Sequence, residues 1–202
     1  MKIIYEESNK YAEPVATGEY AAVCYGFIDL GDQLTKYGWQ TKLALLWEIE
    51  GDPQNAPQTV DKLYTFSLGR GSALRRDLSS WRDRDFTHEE LSGGFDVTSV
   101  VGAPCMLKIT NKQRDNGYVY TNVDEVKPLP VTMDAHEPRH RRIIFDLDTD
   151  DLSIVDTLPN RFAKMIRNSP QYKARAGILA DSAQTSGQTD APSTMDDDDV
   201  PF

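Results

Sequence analysis

Apolar and polar positions alternate along most of the first 130 residues, in short runs closed by glycine, proline or acidic turns. That period-two rhythm predicts strands. The first run, 19–30, is rich in strand formers and stops at Gly31-Asp32, a turn signal. The second, 38–50, sets Leu43, Leu45, Trp47 and Ile49 against Lys42, Ala44, Leu46 and Glu48. The first set is expected to face a core, which leaves Leu46 outward, in need of a cover from the N-terminal arm or a partner. A third run, 58–68, follows a loop carrying Pro53 and Pro57. The rhythm then changes. Ser72 precedes Leu74, Leu78 and Trp81, one apolar stripe at i, i+4 and i+7, with Arg75 and Arg76 on the opposite side. This predicts a helix. Two more alternating runs, 100–111 and 117–127, flank a polar turn ending in Asn116-Gly117, a strong hairpin signal.

The order is strand, strand, strand, helix, strand, strand, without βα alternation. It predicts a mainly β fold, a five-stranded OB-fold barrel with a helix between strands 3 and 4, rather than a parallel sheet. Residues 1–17 alternate poorly, contain Pro14 and read as an extended N-terminal arm. Residues 18–130 form the barrel, closed by Pro128-Leu129-Pro130. Residues 131–180 read as a connection and short helices that pack on the barrel. Within them Ile143-Ile144-Phe145 is a short apolar run. Pro159 opens a helix with Phe162, Met165 and Ile166 on one face, and Ser169-Pro170 opens another short helical stretch to about residue 180. Residues 181–202 read as a disordered acidic tail.

Charge changes the picture in one respect. The net charge of −10 opposes a nucleic-acid binder, but residues 181–202 hold six Asp and no Lys or Arg. The remaining 180 residues therefore carry 22 basic against 26 acidic side chains, a net of −4. A phosphate-binding face then requires charge segregated on the surface, from Lys62, Arg70, Arg75, Arg76, Arg82, Arg84 and the clusters around Lys108 and Arg114. Cys24 and Cys105 lie inside apolar runs and read as buried free thiols in a reducing cytoplasm. No apolar run approaches membrane-spanning length, and the N-terminus lacks signal-peptide architecture.

Enzyme chemistry is not expected, and no cofactor or metal is implied. Gly69-Arg70-Gly71-Ser72 lacks the lysine of a phosphate loop. His136 and His140 are spaced i, i+4, but Pro138 between them opposes a helix. Asp146, Asp148, Asp150 and Asp151 crowd a loop without the glycine and closing glutamate of a calcium hand, and read as a solvated acidic loop.

The run from Tyr64 to Thr87, containing Gly69-Arg70-Gly71-Ser72 and Trp81-Arg82-Asp83-Arg84-Asp85-Phe86, resembles a family of phage OB-fold proteins. Gly94-Phe95-Asp96, Gly102-Ala103-Pro104-Cys105, Gly18-Glu19-Tyr20 and Tyr37-Gly38-Trp39 add to the likeness, which covers roughly residues 15–170. The resemblance implies single-stranded-DNA binding during replication or recombination, in the cytoplasm of a bacterial host. Residues Asp196, Asp197, Asp198, Asp199, Val200, Pro201 and Phe202 resemble the C-terminal tip of bacterial and phage single-stranded-DNA-binding proteins, which implies recruitment of replication or repair proteins. A basic groove would take the aspartates, an apolar pocket the Phe202 ring, and an Arg or backbone nest its carboxylate.

Single-strand binding without sequence preference needs aromatic faces for bases and cations for phosphates. Aromatic and basic residues interleave at Lys36, Tyr37, Trp39 and Lys42, at Lys62 and Tyr64, and at Lys112, Arg114, Tyr118 and Tyr120, with Arg70 and Lys108 as further cations. In an OB barrel these positions fall on strands 2 and 3 and the loops joining strands 1–2 and 4–5, the ligand face. Tyr37, Trp39 and Tyr118 are the expected stacking residues. Trp47 and Trp81 are expected in the core, whereas Phe66 and Tyr120 are open to either role. The competing expectation is an accessory adaptor whose barrel mainly binds protein. A homo-oligomer is compatible with either.

Overall fold

A computed structural model describes residues 14–51 and 57–177. The acidic tail and its tip, and most of the N-terminal arm, lie outside the described residues. The fold is mainly β. Strands β1 (Gly18–Thr35), β2 (Gly38–Ile49), β3 (Gln58–Thr65), β4 (Pro104–Gln113) and β5 (Val119–Lys127) form one antiparallel path in the order β3-β2-β1-β4-β5. A sixth short strand, β6 (Ile143–Phe145), pairs with β1 in parallel. The sheet has six strands where five were expected, and it is not closed by hydrogen bonds. β3 and β5 are its two ends, and they approach one another without pairing. Helix α1 (Ala73–Trp81) and the short α2 (His88–Gly93) lie between β3 and β4.

The central strands are buried on both faces. On one face Leu43, Leu45, Trp47, Val60, Cys105, Leu107, Ile109, Val123 and Val126 pack with Leu74, Leu78 and Trp81 of α1. Burial among these residues pushes the Cys24 thiol up to about 12, against lowering hydrogen bonds from the Gly26 and Leu46 backbone. On the other face Tyr25, Ile28, Leu30, Ala44 and Leu46 form a second core with Phe145, Leu147, Leu152, Val155, Leu158, Phe162 and Ile166. Leu46 is therefore covered, and among the described residues the cover comes from 143–166. Two-sided burial explains why 21–28 reads as a run without a charged residue. Helix α3 (Asn160–Asn168) docks this second core onto β1, and a following helical stretch covers 170–177.

Gly31 does not end β1 as its sequence context suggested. The strand runs through a bulge between Asp29 and Gly31 and on to Thr35. Gly31 sits at φ +64°, and its N–H is held by the Asp29 carboxylate at 2.8 Å. A Cβ there would meet Leu147 Cδ2 at 2.7 Å and Ser169 Cβ at 2.8 Å, so both the backbone angle and the seat of the second core require glycine. Beyond this point β1 and β2 continue as an arm whose root stays tied to the second core, since the Asp32 N–H donates to Gln171 Oε1 at 3.0 Å and Gln33 Nε2 to Met165 O at 3.0 Å.

A second tie holds the connecting segment to the sheet. Glu48, buried on β2, accepts N–H bonds from Arg139 at 2.9 Å and His140 at 2.8 Å, and its carboxylate meets His140 Nδ1 at 2.5 Å. The His140 ring stacks on Tyr25 with centroids 5.0 Å apart. Burial alone would raise the Glu48 pKa. The hydrogen bonds from Arg139 and His140 outweigh it and leave the carboxyl below its ordinary range.

Candidate functional site

The expected residues fall into three groups with different fates. The first occupies the β1–β2 arm. Leu34 lies directly opposite Trp39, and the register continues Trp39, Thr41 and Leu43 along one face of β2. Phe66 joins that face, since its N–H bonds Thr41 O at 2.9 Å, two residues beyond buried Tyr64. Leu34 is 69% exposed, Tyr37 77%, Trp39 58% and Phe66 50%. The arm has lost its core but kept its apolar face, and Lys36 Nζ stands 4.9 Å over the Tyr37 ring. Lys42 takes the opposite face. Its ammonium donates to Gln40 Oε1 at 2.9 Å and Thr65 Oγ1 at 2.6 Å, and burial pushes its pKa down.

The second group lines a groove of about 500 Å³ between the unpaired edges of β3 and β5. Thr59, Asp61, Lys62 and Leu63 form one wall, and Tyr118, Tyr120, Thr121 and Asn122 the other. Arg114 lies over both tyrosines, 5.2 Å from the Tyr120 centroid and 6.0 Å from Tyr118. At one end Val15, itself buried, donates its N–H to Thr121 Oγ1 at 2.9 Å. Arg161 of α3 completes the lining, paired with Asp61. Sequence reasoning missed Arg161, because nothing local to a helix a hundred residues away marks it as a neighbour of β3. It also left Leu34 and Asn122 unmentioned as site residues and Phe66 undecided.

The third group is committed to structure. Tyr64, expected among the single-strand-binding residues, is 2% exposed, so it belongs to the core instead. Its hydroxyl donates to buried Asp77 at 3.0 Å, and burial, with the Asp77 charge and hydrogen bond, pushes its pKa well up. Lys62 donates to the same carboxylate at 2.6 Å, and Arg76 Nε does so at 3.0 Å. Arg75 forks onto Asp85, and Arg82 and Arg84 share Glu90. Arg82 also lies 4.5 Å from the Phe86 centroid and 4.9 Å from Phe95. Lys108 pairs with Glu125 at 3.0 Å, and Lys112 with Asp124 at 3.4 Å.

The basic face is therefore thinner than the composition suggested. Of the twelve expected site residues, Lys36, Lys42, Arg70 and Arg114 are the cations that pair with no carboxylate among the described residues. Arg70 stands exposed in the loop before α1, four residues after Phe66. The β1–β2 turn and the β4–β5 turn lie toward opposite ends of β1, since β4 runs from Val23 back past Gly18 toward its turn and the arm begins after Gly31. No group of three or more His, Cys, Asp or Glu among the described residues could hold a metal ion. No helix among them is long and apolar enough to cross a membrane. Compared with protein-family models, curated proteins and solved structures, the chain matches none.

Proposed function

We propose that this chain binds single-stranded DNA on an OB-type barrel left open between its third and fifth strands. The strand order β3-β2-β1-β4-β5 and the intervening α1 support that architecture. The observation that carries the function is the exposed aromatic pair Trp39 and Phe66, with Tyr37 exposed in the adjoining turn, together with a groove toward the other end of β1 where Arg114 layers over Tyr118 and Tyr120. Bases stack on such platforms whatever their sequence, while a few cations track the backbone. A phage-type role, coating DNA exposed in replication or recombination, follows from the sequence resemblance. Recruitment of partner enzymes through Asp196–Phe202 rests on the sequence alone.

The test is a titration of labelled oligo-dT and of duplex of equal length at two salt concentrations. Single strands should bind more tightly, and log K should fall with log salt by about 0.7 for each phosphate neutralised. With so few uncommitted cations the slope should correspond to about two to four phosphates. Equal affinity for duplex sinks the proposal. The commitment of Lys62, Arg75, Arg76, Arg82 and Arg84 to carboxylates favours the second reading, an adaptor that mainly binds protein. No binding of single strands at low salt would select it.

A further inference from the structure

We infer that the Asp61–Arg161 pair is a brake on the groove. Arg161 is a nucleic-acid contact held in reserve, and Asp61 competes with the phosphate for it. The inference rests on the single-strand reading above. Both residues line the groove that holds Arg114, Tyr118 and Tyr120. The two guanidiniums of this groove differ in one respect. Among the described residues Arg114 meets aromatic rings and no carboxylate, whereas Arg161 is tied to Asp61. The pair is partly exposed, with side-chain exposures of 56% for Arg161 and 25% for Asp61, and burial holds the Arg161 pKa below its ordinary value. A partly exposed pair of this kind contributes little to folding, so holding α3 against the sheet does not require it. The buried side chains of Phe162, Ala163 and Ile166 already do that.

The geometry suits exchange. Arg161 Cζ stands 4.4 Å from the centroid of the buried Phe162 ring, a contact that steadies the guanidinium whichever acceptor its N–H groups take. A phosphodiester entering along Arg114 offers the same bidentate acceptor as Asp61, with the same charge. Asp61 can turn to water when displaced. Until then its negative charge repels the backbone it must yield to. This arrangement selects strands that bring both stacking bases and a correctly spaced phosphate, and it disfavours loose polyanions.

The experiment is a double-mutant cycle on the full chain, with oligo-dT affinity read by anisotropy at two salt concentrations and melting temperatures recorded alongside. Asp61→Asn should bind about three- to tenfold more tightly, a gain that unfolding cannot mimic. Arg161→Ala should bind about three- to tenfold more weakly and lower the salt slope by about 0.7, one phosphate. Adding Asp61→Asn to Arg161→Ala should recover less than half of the logarithmic gain, because the gain passes through the guanidinium. A full gain in the absence of Arg161 reduces Asp61 to simple charge repulsion and overturns the brake. So does an unchanged Asp61→Asn in a protein that otherwise binds. A wild-type chain that binds no oligo-dT overturns the single-strand reading itself, and the brake with it.

Discussion

Exposure separates residues that look alike in sequence. Tyr64 and Trp39 are both aromatic strand residues beside a lysine two or three positions away, yet one is buried on Asp77 and the other open on the arm. Their replacements should therefore fail in different ways. Trp39→Ala should weaken oligo-dT binding by about 1–3 kcal/mol while leaving the melting temperature nearly unchanged. Asp77→Ala, which strips the partner from Lys62 Nζ and the Tyr64 hydroxyl, should cost about 3 kcal/mol of folding stability in denaturant titration. If Trp39→Ala instead unfolds the chain, the arm face is a packing surface. Sequence parity foresaw Trp47 and Trp81 in the core, because each falls on a stripe with leucines. It could not foresee the loss of Lys62, Arg75 and Arg82 from the binding face. Their acceptors Asp77, Asp85 and Glu90 lie 8 to 15 residues away, and only folding brings them together.

Among elements, the connection 131–158 carries more than its irregular sequence suggested. Its arginine and histidine close over Glu48 on β2, and its apolar residues cover the outer face of β1 and β2. Because the folded Glu48 pKa lies below the ordinary value, its contribution to stability is present above that ordinary value and fades as pH falls through the folded one. Glu48→Gln should lower stability near neutral pH. It should also flatten the acid limb of a stability-versus-pH curve relative to wild type, measured by denaturant midpoint between pH 7 and pH 3. An unchanged limb would remove Glu48 from the acid response. Alternation in β2 correctly set which face each residue takes, but a pattern of period two names a face and not what covers it. Gly31 was misread for a related reason. Glycine before aspartate marks a turn and a positive-φ bulge equally well, and the choice is made by Leu147 and Ser169, distant in sequence.

For the molecule as a whole, the proposed function divides between the described body, for single strands, and a tail outside the described residues, for partners. The division predicts separable losses. Phe202→Ala should abolish capture of a replication or repair partner in a pull-down while oligo-dT affinity is retained, since the aromatic ring is the anchor and the aspartates steer the encounter. A variant that keeps every partner makes the tail a solubilising appendage. The body meanwhile distributes its tryptophans unevenly. Trp47 and Trp81 face one another at 6.2 Å inside the first core, and Trp39 stands in water on the arm. Excited at the indole band, such a chain has two emitters shielded from solvent quenchers and one open to them. The fraction of emission reachable by iodide is then an intrinsic optical gauge of whether the arm is occupied, readable without any dye.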